Sequence, residues 1–210
     1  MSQSLSACER IIGLASTKGM VRMTTLFVNA CVRGEDSRTL KLCREYLDGI
    51  EDVKEIVLSE MDISPLSARD VEYRADLQTK GLFEDPIFNL SKELAEADDI
   101  VIGAPYWDLS FPAILKVYIE RCSVCDITFE YTDDARCIGK CKAASLTYIT
   151  TCGGWVDGAN FGYEYICGIA RMFGIPDVRF IAAEGLDVVD ADIDECLAPA
   201  RESIRKLKNH

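Results

Sequence analysis

From Thr25 onward the chain alternates short apolar runs with longer amphipathic stretches, and this rhythm restricts the fold more than any single motif. Residues 25–30 (TLFVNA) are rich in β-branched and bulky side chains, as a buried strand requires, and 53–58, 100–104 (IVIGA), 144–150 and 178–182 read as four more strands. Between them, residues 37–47, 67–78, 85–97, 112–122 and 160–173 read as helices, and 192–207 closes the chain as another. In the first of these, Leu40, Leu42, Cys43, Tyr46 and Leu47 are the candidates for the buried face. Pro112 suits the first position of its helix, where a missing N–H costs nothing. Gly174 and Pro176 stop the helix before the fifth strand. Strands that alternate with helices are joined by crossovers, so their sheet is mainly parallel. The expected architecture is an α/β domain over residues 24–210, doubly wound, with a five-stranded parallel sheet in the order 2-1-3-4-5. Ligands of such a sheet gather at the carboxyl ends of its strands.

Residues 1–23 stand outside that pattern and are expected to be a leader or disordered tail. Residues 2–22 lack the long apolar segment of a secretory signal. Composition narrows the function by exclusion. A net charge of −12 opposes nucleic-acid binding, which needs a basic surface. The longest apolar runs, 100–105 and 178–183, are too short to span a membrane. The sole histidine is the terminal His210, which argues against Ser-His-Asp catalysis and His-ligated metals. Ten cysteines without a secretory signal point to reduced thiols and a cytoplasmic location.

Three loops follow strands whose carboxyl ends meet at one edge of such a sheet. Cys31-Val32-Arg33-Gly34-Glu35-Asp36-Ser37-Arg38-Thr39 supplies hydroxyls, backbone N–H groups and two arginines at a helix start, where an anion is favoured. Taken alone, the commoner reading is that Asp36 or Ser37 merely caps the helix. The loop has neither the Walker spacing and lysine nor a G-x-G-x-x-G turn. Pro105-Tyr106-Trp107-Asp108-Leu109-Ser110-Phe111-Pro112 is stiff and aromatic. It suits stacking against a flat ring as well as it suits core filling or a dimer contact. Thr150-Thr151-Cys152-Gly153-Gly154-Trp155 offers hydroxyls and a glycine pair that lets backbone approach a ligand, or simply turns the chain.

In combination these segments resemble the flavodoxin-like NAD(P)H:quinone oxidoreductases and FMN-dependent NADH azoreductases. Ala104-Pro105-Tyr106-Trp107 with Pro112-Ala113-Ile114-Leu115-Lys116 is similar to that family's flavin loop and the helix after it. Thr150-Thr151-Cys152-Gly153-Gly154 resembles its second flavin loop, and residues 29–39 its phosphate loop. Gly174-Ile175-Pro176-Asp177-Val178 and Glu184-Gly185-Leu186 resemble its late segments, so the likeness runs over residues 24–207. It implies that Cys31, Glu35, Asp36, Ser37 and Thr39 surround a flavin phosphate. It also implies that Pro105, Tyr106, Trp107 and Asp108 line the ring, with Thr151, Cys152, Gly153 and Gly154 on its pyrimidine side. A bulky residue at Gly154 is then expected to block the flavin. Cys31, Asp108 and Cys152 depart from the residues common in the family. The absence of a long adenine-binding extension points to FMN rather than FAD.

The implied reaction carries electrons from NADH or NADPH through FMN to a quinone, an azo compound or a similar small-molecule acceptor. No catalytic side chain is needed, because the protein orients and tunes the cofactor. The family's shared pockets further imply a homodimer. The alternative is a flavodoxin-type one-electron carrier, which the acidity suits. The chain is long for that role, and its phosphate loop lacks the T-x-T-G-x-T-like pattern. Cys122, Cys125, Cys137 and Cys141 have loose zinc-like spacing, but small buried core residues are the expected role and no metal is expected.

Overall fold

In the computed structural model, which describes residues 23–209, β1 (Thr25–Asn29) lies between β2 (Val53–Val57) and β3 (Asp99–Gly103). Strand β6 (Ser145–Thr151) pairs with β3, and β7 (Asp177–Ala183) forms the far edge. The order β2-β1-β3-β6-β7 is the expected 2-1-3-4-5 arrangement, and every pairing in it is parallel. Thr25 is opposite Val53 on one side and Asp99 on the other, so the strands start level and their carboxyl ends share one edge. Among the described residues no helix is long and apolar enough to cross a membrane.

A strand's alternating side chains serve two cores. Leu26, Val28, Ile100, Ile102, Leu146 and Tyr148 point to one face. There they meet α3 (Asn89–Glu96), α4 (Ala113–Cys122) and α5 (Phe161–Phe173) through residues such as Leu94, Leu115 and Ile166. Phe27, Val101, Ile149 and Ile181 point to the other face, against α1 (Arg38–Leu47) and α6 (Ile193–Lys208). Full burial of each such side chain contributes about 1.5–3 kcal/mol, and two-faced burial explains why the inner strands β1 and β3 read as nearly continuous apolar runs.

The helices begin where local chemistry lets them. Ser37 Oγ accepts from the Leu40 N–H at the start of α1. A reciprocal Ser67–Asp70 capping box opens α2 (Ala68–Thr79). Asn160 caps α5, and Gly174 ends it at φ 82°, a conformation that glycine adopts without a Cβ penalty.

Three local expectations are corrected. The stretch 85–97 is not one helix. Asp85 caps a 3-10 turn at Pro86–Phe88, and α3 starts only at Asn89. Pro112 is the cap of α4 rather than its first helical residue, held at ψ 140°. The segment between α4 and β6 contains an unexpected antiparallel hairpin, β4 (Phe129–Tyr131) and β5 (Cys137–Gly139). Gly139 lies so close to the backbone of Phe173 and Gly174 that a Cβ there would overlap it, which docks the hairpin on the end of α5. The hairpin also sorts the four clustered cysteines. Cys122 is buried as expected, Cys125 and Cys141 are partly buried, and Cys137 is exposed, so core filling does not describe them all. The leader falls in residues 1–22 apart from Met23, and lies outside the described residues.

Candidate functional site

The first loop is shaped from behind by a polar chain that no short motif announces. Asn29 Oδ1 accepts from the Cys31 N–H at 2.9 Å, turning the backbone as it leaves β1. The Asn29 amide donates to Glu55 at 2.9 Å, and Glu55 is gripped by both terminal nitrogens of Arg44 on α1. Cys31 points inward, its Sγ 3.6 Å from the Gly103 carbonyl, and burial pushes its thiol up to about 11. It supports the loop from inside and does not reach the loop's outer surface. Glu35 and Asp36 fall in a 3-10 turn and are exposed, outside the lining of the cleft described below.

Ser37 and Thr39 are buried at the start of α1. Thr39 Oγ1 lies 2.6 Å from Thr151 Oγ1, tying the first turn of that helix to the end of β6. The free N–H groups of a helix start and its positive dipole end therefore face the sheet edge, a setting that favours an anion.

The loop after β3 is more constrained than its sequence suggests. Trp107 and Ser110 exchange backbone hydrogen bonds of 3.0 and 2.8 Å, closing a two-residue turn. Asp108 at φ 48° and Leu109 at φ 66° both occupy the left-handed region, as a type I′ hairpin turn demands. Neither is glycine or asparagine, so the turn stores strain of order 1 kcal/mol per residue. Anchors on either side hold it. The Tyr106 N–H donates to the Thr151 carbonyl at 3.0 Å, its hydroxyl to Ala159 at 2.6 Å, and the Phe161 N–H to Leu109 at 3.1 Å. Trp107 stays 44% exposed at the rim, while Asp108 turns out of the cleft.

After β6, the chain is laced to the loop after β7. The N–H groups of Leu186 and Asp187 donate to the carbonyls of Cys152 and Gly153, and that of Gly185 to Gly154. A Cβ on Gly153 would overlap the Asp187 carboxylate, whereas one on Gly154 would meet nothing within 4 Å. Of the two glycines, Gly153 is the one whose Cβ position is taken by a neighbouring side chain. Burial raises the Cys152 thiol above its ordinary range.

These loops enclose a cleft of about 220 Å³. Of the residues singled out in the sequence, Ser37, Thr39, Pro105, Tyr106 and Trp107 line it together with Thr151, Cys152 and Gly153. Cys31, Glu35, Asp36, Asp108 and Gly154 do not. The lining also includes Arg33 and Arg38 from the first loop, and Leu186 and Asp187 from the loop after β7. The arginines were visible as charges at a helix start. Asp187 carried no signal except its place just after the fifth strand.

A family model described as a flavodoxin-like fold matches residues 23–207. A curated relative from Clostridium acetobutylicum, an FMN-dependent NADH:quinone oxidoreductase, is 33% identical over 195 residues, 87% of this chain and 95% of that protein. The crystal structure of an azoreductase from Bacillus anthracis superposes with a TM-score of 0.75 at 22% identity, covering 89% of this chain and 99% of that one. An FMN-dependent NADH-azoreductase from the same species, solved with FMN, gives a TM-score of 0.73 at 21% identity and covers 89% and 98%. A match over nearly the whole described chain, together with a relative of this identity and coverage, means that the protein belongs to the flavodoxin-like family that includes the FMN-dependent NADH:quinone oxidoreductases.

Proposed function

We propose that the cleft at the carboxyl ends of β1, β3 and β6 holds FMN, and that the protein passes electrons from NADH or NADPH to a quinone, an azo compound or a similar small acceptor. The observation that carries this reading is the convergence, in one cleft, of the α1 helix start with Ser37, Thr39 and two arginines, and the Gly153 backbone opposite them. The residues present fit the group. A phosphate is matched by hydroxyls, helix N–H groups and guanidinium charge. The aromatic loop supplies an apolar wall for a flat ring. FMN, when bound, supplies two-electron redox chemistry between the nicotinamide and the acceptor. The chain's task is to fix that ring and shape what reaches it. The Thr39–Thr151 hydroxyl pair holds the phosphate end and the ring end in one frame. The anchored turn at Trp107 keeps an indole at the rim, where it excludes water from one approach.

Relatives named as FMN-dependent NADH:quinone oxidoreductases, and a related azoreductase solved with FMN, support the same cofactor and acceptor classes. Trp107, Leu109 and Trp155 on loops at this end, and Phe161 at the start of α5, are large apolar side chains left exposed. Their exposure supports a second copy of the chain covering them, giving a homodimer with a shared pocket.

The test is direct. Purified protein is expected to show a flavin absorption spectrum with one FMN per subunit, and to oxidise NADH or NADPH with a simple quinone along parallel double-reciprocal lines. Trp107→Ala is expected to lower kcat/KM by about three- to ten-fold, the scale of one aromatic contact, with the thermal midpoint unchanged. Colourless protein that takes up no FMN overturns the reading. A flavin-replete protein that neither nicotinamide reduces is instead a one-electron carrier.

A further inference from the structure

Arg38 faces the cleft from the first turn of α1, yet its guanidinium is already engaged. One nitrogen donates to the Leu186 carbonyl at 2.8 Å and to Asp187 Oδ1 at 2.7 Å, so the side chain spans from the first loop to the last. Asp187 is the one carboxylate among the described residues that line the cleft. Its N–H is fixed to the Gly153 carbonyl at 2.7 Å, and its carboxylate lies over the bare face of Gly153. With side-chain exposures of 41% and 67%, the ion pair is open to water and adds little to stability. An acid inside a site built for an anion is costly to binding, and a weak surface bridge does not account for its position.

We propose that Asp187 is a stand-in counter-ion, which holds Arg38 while the cleft is empty and yields it to the phosphate of the incoming cofactor. This rests on the FMN reading above. A phosphate carries more charge than a carboxylate and can take a guanidinium through two parallel bonds where Asp187 uses one oxygen, so the exchange runs toward the phosphate. Two consequences follow from the geometry. Binding must first separate Arg38 from Asp187, and the displaced carboxylate then lies near a like charge. Asp187 therefore weakens FMN binding and leaves recognition of the ring untouched. If it merely steadied Arg38 for the phosphate, its removal would have the opposite sign.

Calorimetric titration of flavin-stripped full-length protein separates these cases. Asp187→Asn keeps the shape and removes the charge, and is expected to tighten FMN binding by about two- to five-fold, the size of one exposed charge interaction. Riboflavin, which has the ring and no phosphate, is expected to bind wild type and Asp187→Asn equally. Arg38→Ala is expected to cost more FMN affinity in the Asp187→Asn background than in wild type, because there Arg38 has no competing partner. Weaker or unchanged FMN binding by Asp187→Asn overturns the proposal, as does an equal gain for riboflavin; all three leave the FMN reading standing. Wild type that binds neither flavin removes the FMN reading and this proposal with it.

Discussion

At the amino ends of the strands, a hollow of about 540 Å³ is bounded by Tyr46, Asp99, Ser145 and Arg179. At the carboxyl ends the cleft is less than half that size, about 220 Å³. The larger space is chemically quiet. Ser145 Oγ donates to Asp99 at 2.6 Å, Tyr46 and Thr147 share a hydroxyl bond of 3.0 Å, and Arg179 pairs with Asp177 at 2.7 Å. Each of these four polar side chains is already partnered. The smaller space is where strands hand over to helices, so N–H groups with no partner inside the helix point into it. Volume does not select the site in this molecule. The direction of the backbone does, and a parallel sheet makes that direction the same for every strand.

The sharpest way to break this contrast is to crowd one end and strip the other. Gly153→Val sets a branched side chain on a residue that lines the cleft and is expected to weaken FMN binding by about ten- to hundred-fold. Arg179→Ala at the opposite end is expected to leave FMN affinity within about two-fold, as a surface charge change remote from the ligand does. Calorimetry on both variants decides it, and a comparable loss from Arg179→Ala would show that the ends are not independent. A second change sharpens the comparison by asking what holds the cleft open. Thr39→Val leaves the buried Thr151 hydroxyl without its partner, and is expected to lower unfolding free energy by about 1–3 kcal/mol in urea titration. An unchanged denaturation midpoint would mean that the pair contributes nothing to the frame. The smallest effect is expected at the strained turn. Leu109→Gly relieves a left-handed leucine and is expected to raise stability by up to about 1 kcal/mol, offset in part by glycine's unfolded-state entropy. A clear loss of stability would place the value of Leu109 in its packing instead.

The sheet was legible because burial on both faces writes the inner strands β1 and β3 as nearly unbroken apolar runs, and because β3 ends in Gly103 before a loop. The stop at Gly174 was legible, and the cap of α1 was narrowed to Asp36 or Ser37, because capping is local chemistry; that Asn160 caps α5 and is not part of it was not. What stayed hidden depends on distant partners. Gly153 and Gly154 are indistinguishable in the sequence, and only Asp187, from another strand's loop, separates them. The Arg38–Asp187 bridge joins residues 149 positions apart. Cys31 looked like part of a binding loop, but the amide of Asn29 turns the backbone so that the thiol faces the core. The β4–β5 hairpin has strands of three residues with partly exposed side chains, too short for alternation to register.

The position of β1 in the sheet has a consequence for how the protein is made. This strand leaves the ribosome before the rest of the sheet, and its pairing with β3 joins residues 74 positions apart in sequence, as the neighbouring Thr24–Asp98 contact also does. Until residues 99–103 have been synthesised, a strand carrying Leu26, Phe27 and Val28 is covered on one side at most, by β2. At roughly 5–20 residues per second, that interval lasts several seconds, and an open apolar edge is then available to any other nascent chain. A sheet whose first strand is an inner one thus carries its greatest risk of misassembly early in synthesis, long before the cleft exists.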